Sequence, residues 1–309
     1  MLRTSSAAAD LLPRHQRVRE QRGSVPVSNA LVELPGRGKT RVWQMPGPPD
    51  APTLMLIHGV ALTAEVNWSA LFEPLGRHFR VVAPDLRGHG DGAPVPGVFR
   101  LEDCADDIAA LGRELDLPRF VAVGYSMGGL IAQLLFRRHP HLIDGLVLCC
   151  TARNFQGAPL DRLGALALPA MAATVHWSPL GRMVIAQLLS STLMGERTDA
   201  RTRAWAVNHM RGTDLVTILS AMQAVSDFTS REWIGQVNVP TAVVIPTADR
   251  VVPAHRQYKL AQAIPRAAVF EVDADHGLCF NDVEAFAAVV RKSCAWVTAR
   301  NRRAAVANS

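Results

Sequence analysis

The sequence predicts an α/β fold, a mostly parallel sheet covered by helices on both faces. Short, continuously apolar runs of strand length alternate with stretches of helical periodicity, and strands apolar throughout belong to a sheet buried on both sides. One such run, Phe120-Val121-Ala122-Val123, passes through Gly124-Tyr125-Ser126-Met127-Gly128-Gly129 into a helix-like stretch, a sharp strand-to-helix turn. With 309 residues and 49% of them hydrophobic, the chain can bury one large core, as a single domain or a domain carrying an insertion.

The elements follow in order. Residues 1–27 are polar and basic and read as a mobile segment. Residues 30–34 and 40–44 are two short strands joined through Pro35-Gly36-Arg37-Gly38, a hairpin signal. A strand is expected at 53–57, a helix at 68–78, a strand at 81–83, an amphipathic helix at 101–115, a strand at 120–123, a helix at 130–138 and a strand at 146–150. Cys149 and Cys150, adjacent on that last strand, should point to opposite faces as core residues. The alternation stops near residue 153. Residues 154–235 read as helical throughout, over 160–174, 180–193, 201–210 and 215–224, and form a helical insertion placed to cap the strand C-terminal ends. Strands and helices resume with a strand at 241–245, a helix at 257–264, a strand at 268–272 and a final helix at 283–297. The core is therefore 28–153 and 236–298, the cap 154–235, and 299–309 a basic tail.

The net charge of +6 is concentrated at the ends: residues 1–41 carry eight Lys/Arg against Asp10, Glu20 and Glu33, residues 291–309 carry five and no acid, and the middle is net negative. Without a nucleic-acid recognition motif these ends read as solvated termini, so no specific nucleic acid is expected as partner; peripheral contact with a membrane surface stays open. Five cysteines, without CxxC or Cys/His ligand spacing, make neither a disulfide framework nor a zinc site. Pro13, Arg14, Arg17, Arg19 and Arg22 interrupt any secretory apolar segment, and the apolar run 163–175, broken by Pro169, is too short to span a bilayer, so the expected location is cytoplasmic.

The strand-to-helix turn carries the chemistry. A serine hydroxyl is a weak nucleophile at neutral pH, so Ser126 in such an elbow requires a histidine base and a carboxylate to orient it, in the chain order Ser, acid, His. Asp249 stands just past a late strand, ahead of Val252-Pro253; its competing role is that of a helix-capping aspartate. Of the histidines that follow, His255 falls inside the helix begun by Pro253, which leaves His276 as the base. Asp273 and Asp275 are rivals to Asp249, but a residue beside His276 rarely faces its ring. Two backbone N–H groups should form an oxyanion hole, that of Met127 after the nucleophile and that of Val60 after His58-Gly59, with His58 fixing the loop.

These motifs, His58-Gly59-Val60 with Trp68 downstream, Asp85-Leu86-Arg87-Gly88-His89-Gly90, the elbow around Ser126, and Asp249 with Val252-Pro253 followed by His276, make the chain resemble the α/β-hydrolase fold superfamily over about residues 28–298. The resemblance implies an eight-stranded, mostly parallel sheet, a helical cap after the sixth strand, and no cofactor. Two departures stand out. Pro246 occupies a position where similar proteins usually have glycine, and the elbow holds Ser126 with no cap tyrosine, the only tyrosines being Tyr125 and Tyr258. Epoxide hydrolysis and haloalkane dehalogenation, which in similar proteins use an elbow aspartate, are disfavoured. The expected activity is that of a serine hydrolase of the carboxylesterase or lipase type. Thioesterase, perhydrolase resembling non-haem haloperoxidases, and carbon–carbon bond hydrolase are alternatives, as is a ligand-binding receptor of this fold with little turnover. Met171, Trp177, Met183, Met194, Trp205 and Met210 suggest an acyl pocket in the cap, and a small-molecule ester with an apolar acyl group as substrate.

Overall fold

A computed structural model describes residues 27–155, 171, 198–204 and 213–307. Its elements run β1 Ser28–Leu34, β2 Gly38–Met45, β3 Thr53–Ile57, α1 Ala64–Gly76, β4 Arg80–Pro84, α2 Leu101–Glu114, β5 Phe120–Tyr125, α3 Met127–Arg138, β6 Ile143–Cys149, α4 Leu215–Asp227, β7 Thr241–Pro246, α5 Ala254–Ala263, β8 Ala268–Val272, α6 Leu278–Asn281 and α7 Val283–Ala307. The eight strands form one sheet in the order β1-β2-β4-β3-β5-β6-β7-β8. β1 and β2 form an antiparallel hairpin and β2 joins β4 antiparallel, while the remaining neighbours pair in parallel.

Alternate residues of the strands feed two cores, one on each face of the sheet. Leu146 and Leu148 join Ile108, Leu130 and Leu260 beneath α2, α3 and α5. Val147 and Cys149 join Trp68, Phe72, Phe286 and Val290 beneath α1 and α7. Cys150 breaks the alternation and corrects the expectation that it opposes Cys149. It lies just past the strand at φ 53, so both thiols enter the same core.

Several helix ends differ from the periodicity-based boundaries for local reasons. α1 begins at Ala64 because the Thr63 side chain accepts the Val66 N–H at 3.2 Å, a polar cap that apolar periodicity does not register. The last helix runs on to Ala307, so the expected tail at 299–309 is helical through Ala307. No glycine or proline occurs there to stop it, and Arg300 stacks 3.9 Å from the Trp296 ring one turn earlier. Within the expected cap, α4 is present, capped by Asp214 and burying Ile218, Leu219 and Ala221. The helices expected at 160–174 and 180–193, and the part of 201–210 from 205 onward, lie outside the described residues apart from helical Met171. Among the described residues no helix is long and apolar enough to cross a membrane.

The strand order turns back at β3, which lies between β4 and β5, the kind of place where open α/β sheets bind ligands at their strand C-terminal ends. Ser126 follows β5, His58 and Gly59 follow β3, Asp249 follows β7 and His276 follows β8, all on that edge.

Candidate active site

Ser126 connects β5 to α3 at φ 52 and ψ −116, a conformation costly for a side-chain-bearing residue. Its N–H donates to the Cys149 carbonyl at 2.9 Å, and its carbonyl accepts the Gly129 N–H at 2.9 Å, so the turn is tied to β6 on one side and to its own helix on the other. The flanking glycines are sterically required. A Cβ on Gly124 would stand 2.2 Å from the Gly128 oxygen, and one on Gly128 would stand 2.1 Å from the Ile57 oxygen. The serine hydroxyl is half-buried at the N-terminus of α3, where the helix dipole favours negative charge.

β7 ends at Pro246, and the turn that follows buries Asp249. Oδ1 of Asp249 accepts the N–H groups of Val251 at 2.9 Å and Val252 at 2.8 Å, while Oδ2 accepts Gln257 Nε2 at 3.0 Å and stands 2.8 Å from His276 Nδ1. Asp249 thus braces the turn ahead of α5 and not the helix itself, whose cap position is Pro253, and faces the imidazole with its other oxygen. The loop carrying His276 is laced to this turn through Thr247 N–H to the Val272 carbonyl and Ala248 N–H to the Ala274 carbonyl. Tyr125, next to the serine, donates its hydroxyl to the His276 carbonyl. His276 Nε2 then lies 3.1 Å from Ser126 Oγ. Since the carboxylate engages Nδ1, the consistent tautomer carries its proton there and leaves Nε2 as the acceptor of the serine proton.

The rivals have other places. Asp275 Oδ1 accepts the Gly277 N–H and Asn281 Nδ2, both at 2.9 Å, bracing the loop from behind; Asp273 and His255 are exposed. Burial pushes the thiols of Cys150 and Cys279 and the phenol of Tyr125 upward, Cys279 to about 12, so these neighbours of Asp249 and His276 stay neutral.

The loop after β3 passes beside Ser126: a methyl on Gly59 would lie 3.5 Å from its Cβ. His58 Nδ1 donates to the Gly59 carbonyl at 2.8 Å and its Nε2 accepts the Leu86 N–H at 2.9 Å, which locks the loop to the one after β4. Burial lowers His58 to about 4, so it is a neutral strut. Among the described residues the N–H groups of Val60 and Met127 have no protein acceptor and can serve an incoming oxyanion. Met171 is half-buried against the core that includes Val60 and Met127. Trp177, Met183, Met194, Trp205 and Met210 lie outside the described residues.

Two polar residues here went unread in the sequence. Asn67 on α1 is buried and accepts the Gly59 N–H with Oδ1 at 2.9 Å, and Gln257 on α5 holds Asp249. Neither sits in a recognisable spacing; each becomes visible only when its helix packs beside a loop distant in sequence.

This arrangement agrees with what the chain resembles. The sequence pattern of the alpha/beta hydrolase fold matches residues 52–283. RutD of Agrobacterium fabrum, named as a candidate carbamate hydrolase, is 32% identical over 232 residues, 72% of this chain and 85% of RutD. The magnesium-chelatase 30 kDa subunit of Rhodobacter capsulatus is 28% identical over 240 residues, 74% of this chain and 82% of that subunit. Among solved structures, a thermophilic esterase from Thermogutta terrifontis superposes with a TM-score of 0.72 at 25% identity, covering 86% of this chain and 97% of the esterase. Since the pattern spans most of the chain and the sheet has the strand order that carries the elbow, the chain belongs to the α/β-hydrolase fold family of hydrolytic enzymes.

Proposed function

We propose that the protein is a serine hydrolase that cleaves carboxylic esters through an acyl-enzyme on Ser126. The observation that carries this reading is the unbroken line from Asp249 Oδ2 to His276 Nδ1 and from His276 Nε2 to Ser126 Oγ, at 2.8 and 3.1 Å. His276 takes the hydroxyl proton as Ser126 Oγ attacks the ester carbonyl, and Asp249 stabilises the imidazolium. The oxyanion of the tetrahedral intermediate meets the N–H groups of Val60 and Met127, a donor at such a position contributing about 3 kcal/mol. His276 returns the proton to the departing alcohol. A water molecule, deprotonated by the same imidazole, then opens the acyl-enzyme to release the acid and regenerate Ser126. Met171 and the apolar residues of the 154–235 insertion are proposed to line the acyl side.

A second reading, carbamate hydrolysis, is favoured by the similarity to RutD and uses the same groups on a carbonyl flanked by nitrogen. Labelling with a fluorophosphonate tests the shared chemistry: Ser126 is expected to be modified, Ser126→Ala to be inert, and Asp249→Asn to slow turnover by about a thousandfold or more. An unlabelled Ser126 in folded protein would refute both. Steady turnover of p-nitrophenyl esters, with aryl carbamates giving only a burst, supports the ester reading; steady turnover of carbamates alone supports the other.

A further inference from the structure

Gln257 is fully buried on α5, yet only one end of its amide is satisfied. Nε2 donates to Asp249 Oδ2 at 3.0 Å and to the Val252 carbonyl at 2.7 Å, whereas Oε1 has no partner among the described residues. A buried orphan acceptor is unfavourable, and an apolar side chain of similar size would avoid it. The orientation of the amide follows from its partners, because turning it over would set its oxygen against a carboxylate and a carbonyl. Gln257 is therefore kept at a local cost, and the group that gains is Asp249. Oδ1 of that carboxylate is anchored by the Val251 and Val252 amides, so Oδ2 is the oxygen shared between Gln257 and His276.

We propose that Gln257 is a positioning residue for the hydrolysis inferred at Ser126: it fixes the plane of the Asp249 carboxylate and draws charge from Oδ2, and thereby sets how firmly His276 holds its proton. This rests on that reading of Ser126, Asp249 and His276. Among the described residues, the titratable groups beside the pair on other elements are Tyr125 from β5, Cys150 after β6, Cys279 from α6 and Asp275 from the β8 loop. The phenol and both thiols are neutral by burial, and Asp275 is occupied by Gly277 and Asn281.

Without the amide donor, Oδ2 concentrates more negative charge on the imidazolium and its alignment loosens. Proton affinity at His276 rises and the acid limb of the rate profile moves to higher pH. Gln257→Leu is expected to lower kcat for a p-nitrophenyl ester, and the rate of fluorophosphonate labelling, by about tenfold with KM within about twofold, and to move the acid limb up by about half a pH unit. Gln257→Met, close in length and without a donor, should move the limb in the same direction by a similar amount. A residue that merely fills space would alter stability and leave the limb where it is. Failure of the unsubstituted protein to label at Ser126 would overturn the underlying hydrolase reading. Labelling of that protein, with wild-type rates and an unmoved limb in either folded variant, would overturn the role of Gln257 alone. Should Gln257→Leu not fold, Gln257→Met decides on the same limb, and loss of folding in both marks Gln257 as structural and overturns the proposal as well.

Discussion

Ser126 holds its hydroxyl out of the sheet by adopting φ 52, a conformation that costs about 1–3 kcal/mol and persists because its surroundings over-determine it. The hydrogen bond to Cys149 and the close passage of α3 over β3 are that determination, and Gly128 is where the two backbones touch. Gly128→Ala would press a methyl to 2.1 Å from the Ile57 oxygen, a backbone atom that cannot swing aside. Loss of more than about 3 kcal/mol in urea unfolding is expected, together with loss of fluorophosphonate labelling, because the same displacement shifts the Met127 amide relative to Ser126. An alanine variant of ordinary stability and labelling rate would mean that the elbow tolerates a wider turn. At this scale Ser126, Asp249 and His276 were legible because each sits in a motif at a strand end. Asn67 and Gln257 were not, since an amide on an amphipathic helix has the appearance of a surface residue until its neighbour is known.

Among the elements, α2 is fastened to the sheet by charge as well as by its apolar face. Arg87, in the loop after β4, grips Asp107 of α2 with Nε to Oδ2 at 2.6 Å and Nη2 to Oδ1 at 2.7 Å, and both side chains are buried. Arg37, from the β1–β2 turn, reaches the same carboxylate at 2.5 Å. A hairpin turn, a strand-end loop and a helix thus converge on one anion. Arg87→Met would leave Asp107 with only its partly exposed partner, and breaking a buried pair from one side typically costs about 3–5 kcal/mol. A urea midpoint that falls accordingly, with an unchanged m-value, is the expected result; a shift of less than about 1 kcal/mol would show the Arg37 contact to be sufficient. The strands and longer helices among the described residues were foreseen from periodicity, the single turn of α6 was not, and ends moved wherever a side-chain cap, as at Thr63, or an unterminated helix, as at Ala307, decided the boundary.

For the molecule as a whole, His58 and His89 tie stability to pH. Their rings meet edge to face at 5.5 Å, fully buried, and burial lowers His58 from 6.5 to about 4 and His89 to about 3, with the neighbouring ring adding to the shift in His89. Above 6.5 neither the folded nor the unfolded chain protonates them. Below it the unfolded chain binds protons that the folded protein refuses until about 4 and 3, so stability falls with pH through that window. The loss by pH 5 is about 2 kcal/mol for each ring. A melting temperature that declines steeply from pH 6.5 to about 5 is expected, with roughly half the slope in His89→Asn, which keeps a donor for the Arg87 carbonyl. An equal slope in the variant would remove His89 as a source of the effect.

By itself the sequence determined the layering of strands and helices, the elbow, and the chain order in which Ser126, Asp249 and His276 follow strand ends, because apolar periodicity and turn chemistry are local properties of neighbouring residues. Tertiary structure decided what depends on residues far apart in the chain. It closed the contact between positions 126, 249 and 276, chose Asp249 over Asp275 by setting Oδ2 at 2.8 Å from the imidazole, and brought Asn67 to the loop after β3 and Gln257 to Asp249. It also turned Cys150 onto the same face as Cys149, since a single positive φ reverses an alternation that a pattern assumes will continue. Hydrogen bonds of this kind act over about 3 Å between groups separated by many residues, and only the packing of one sheet brings them within reach.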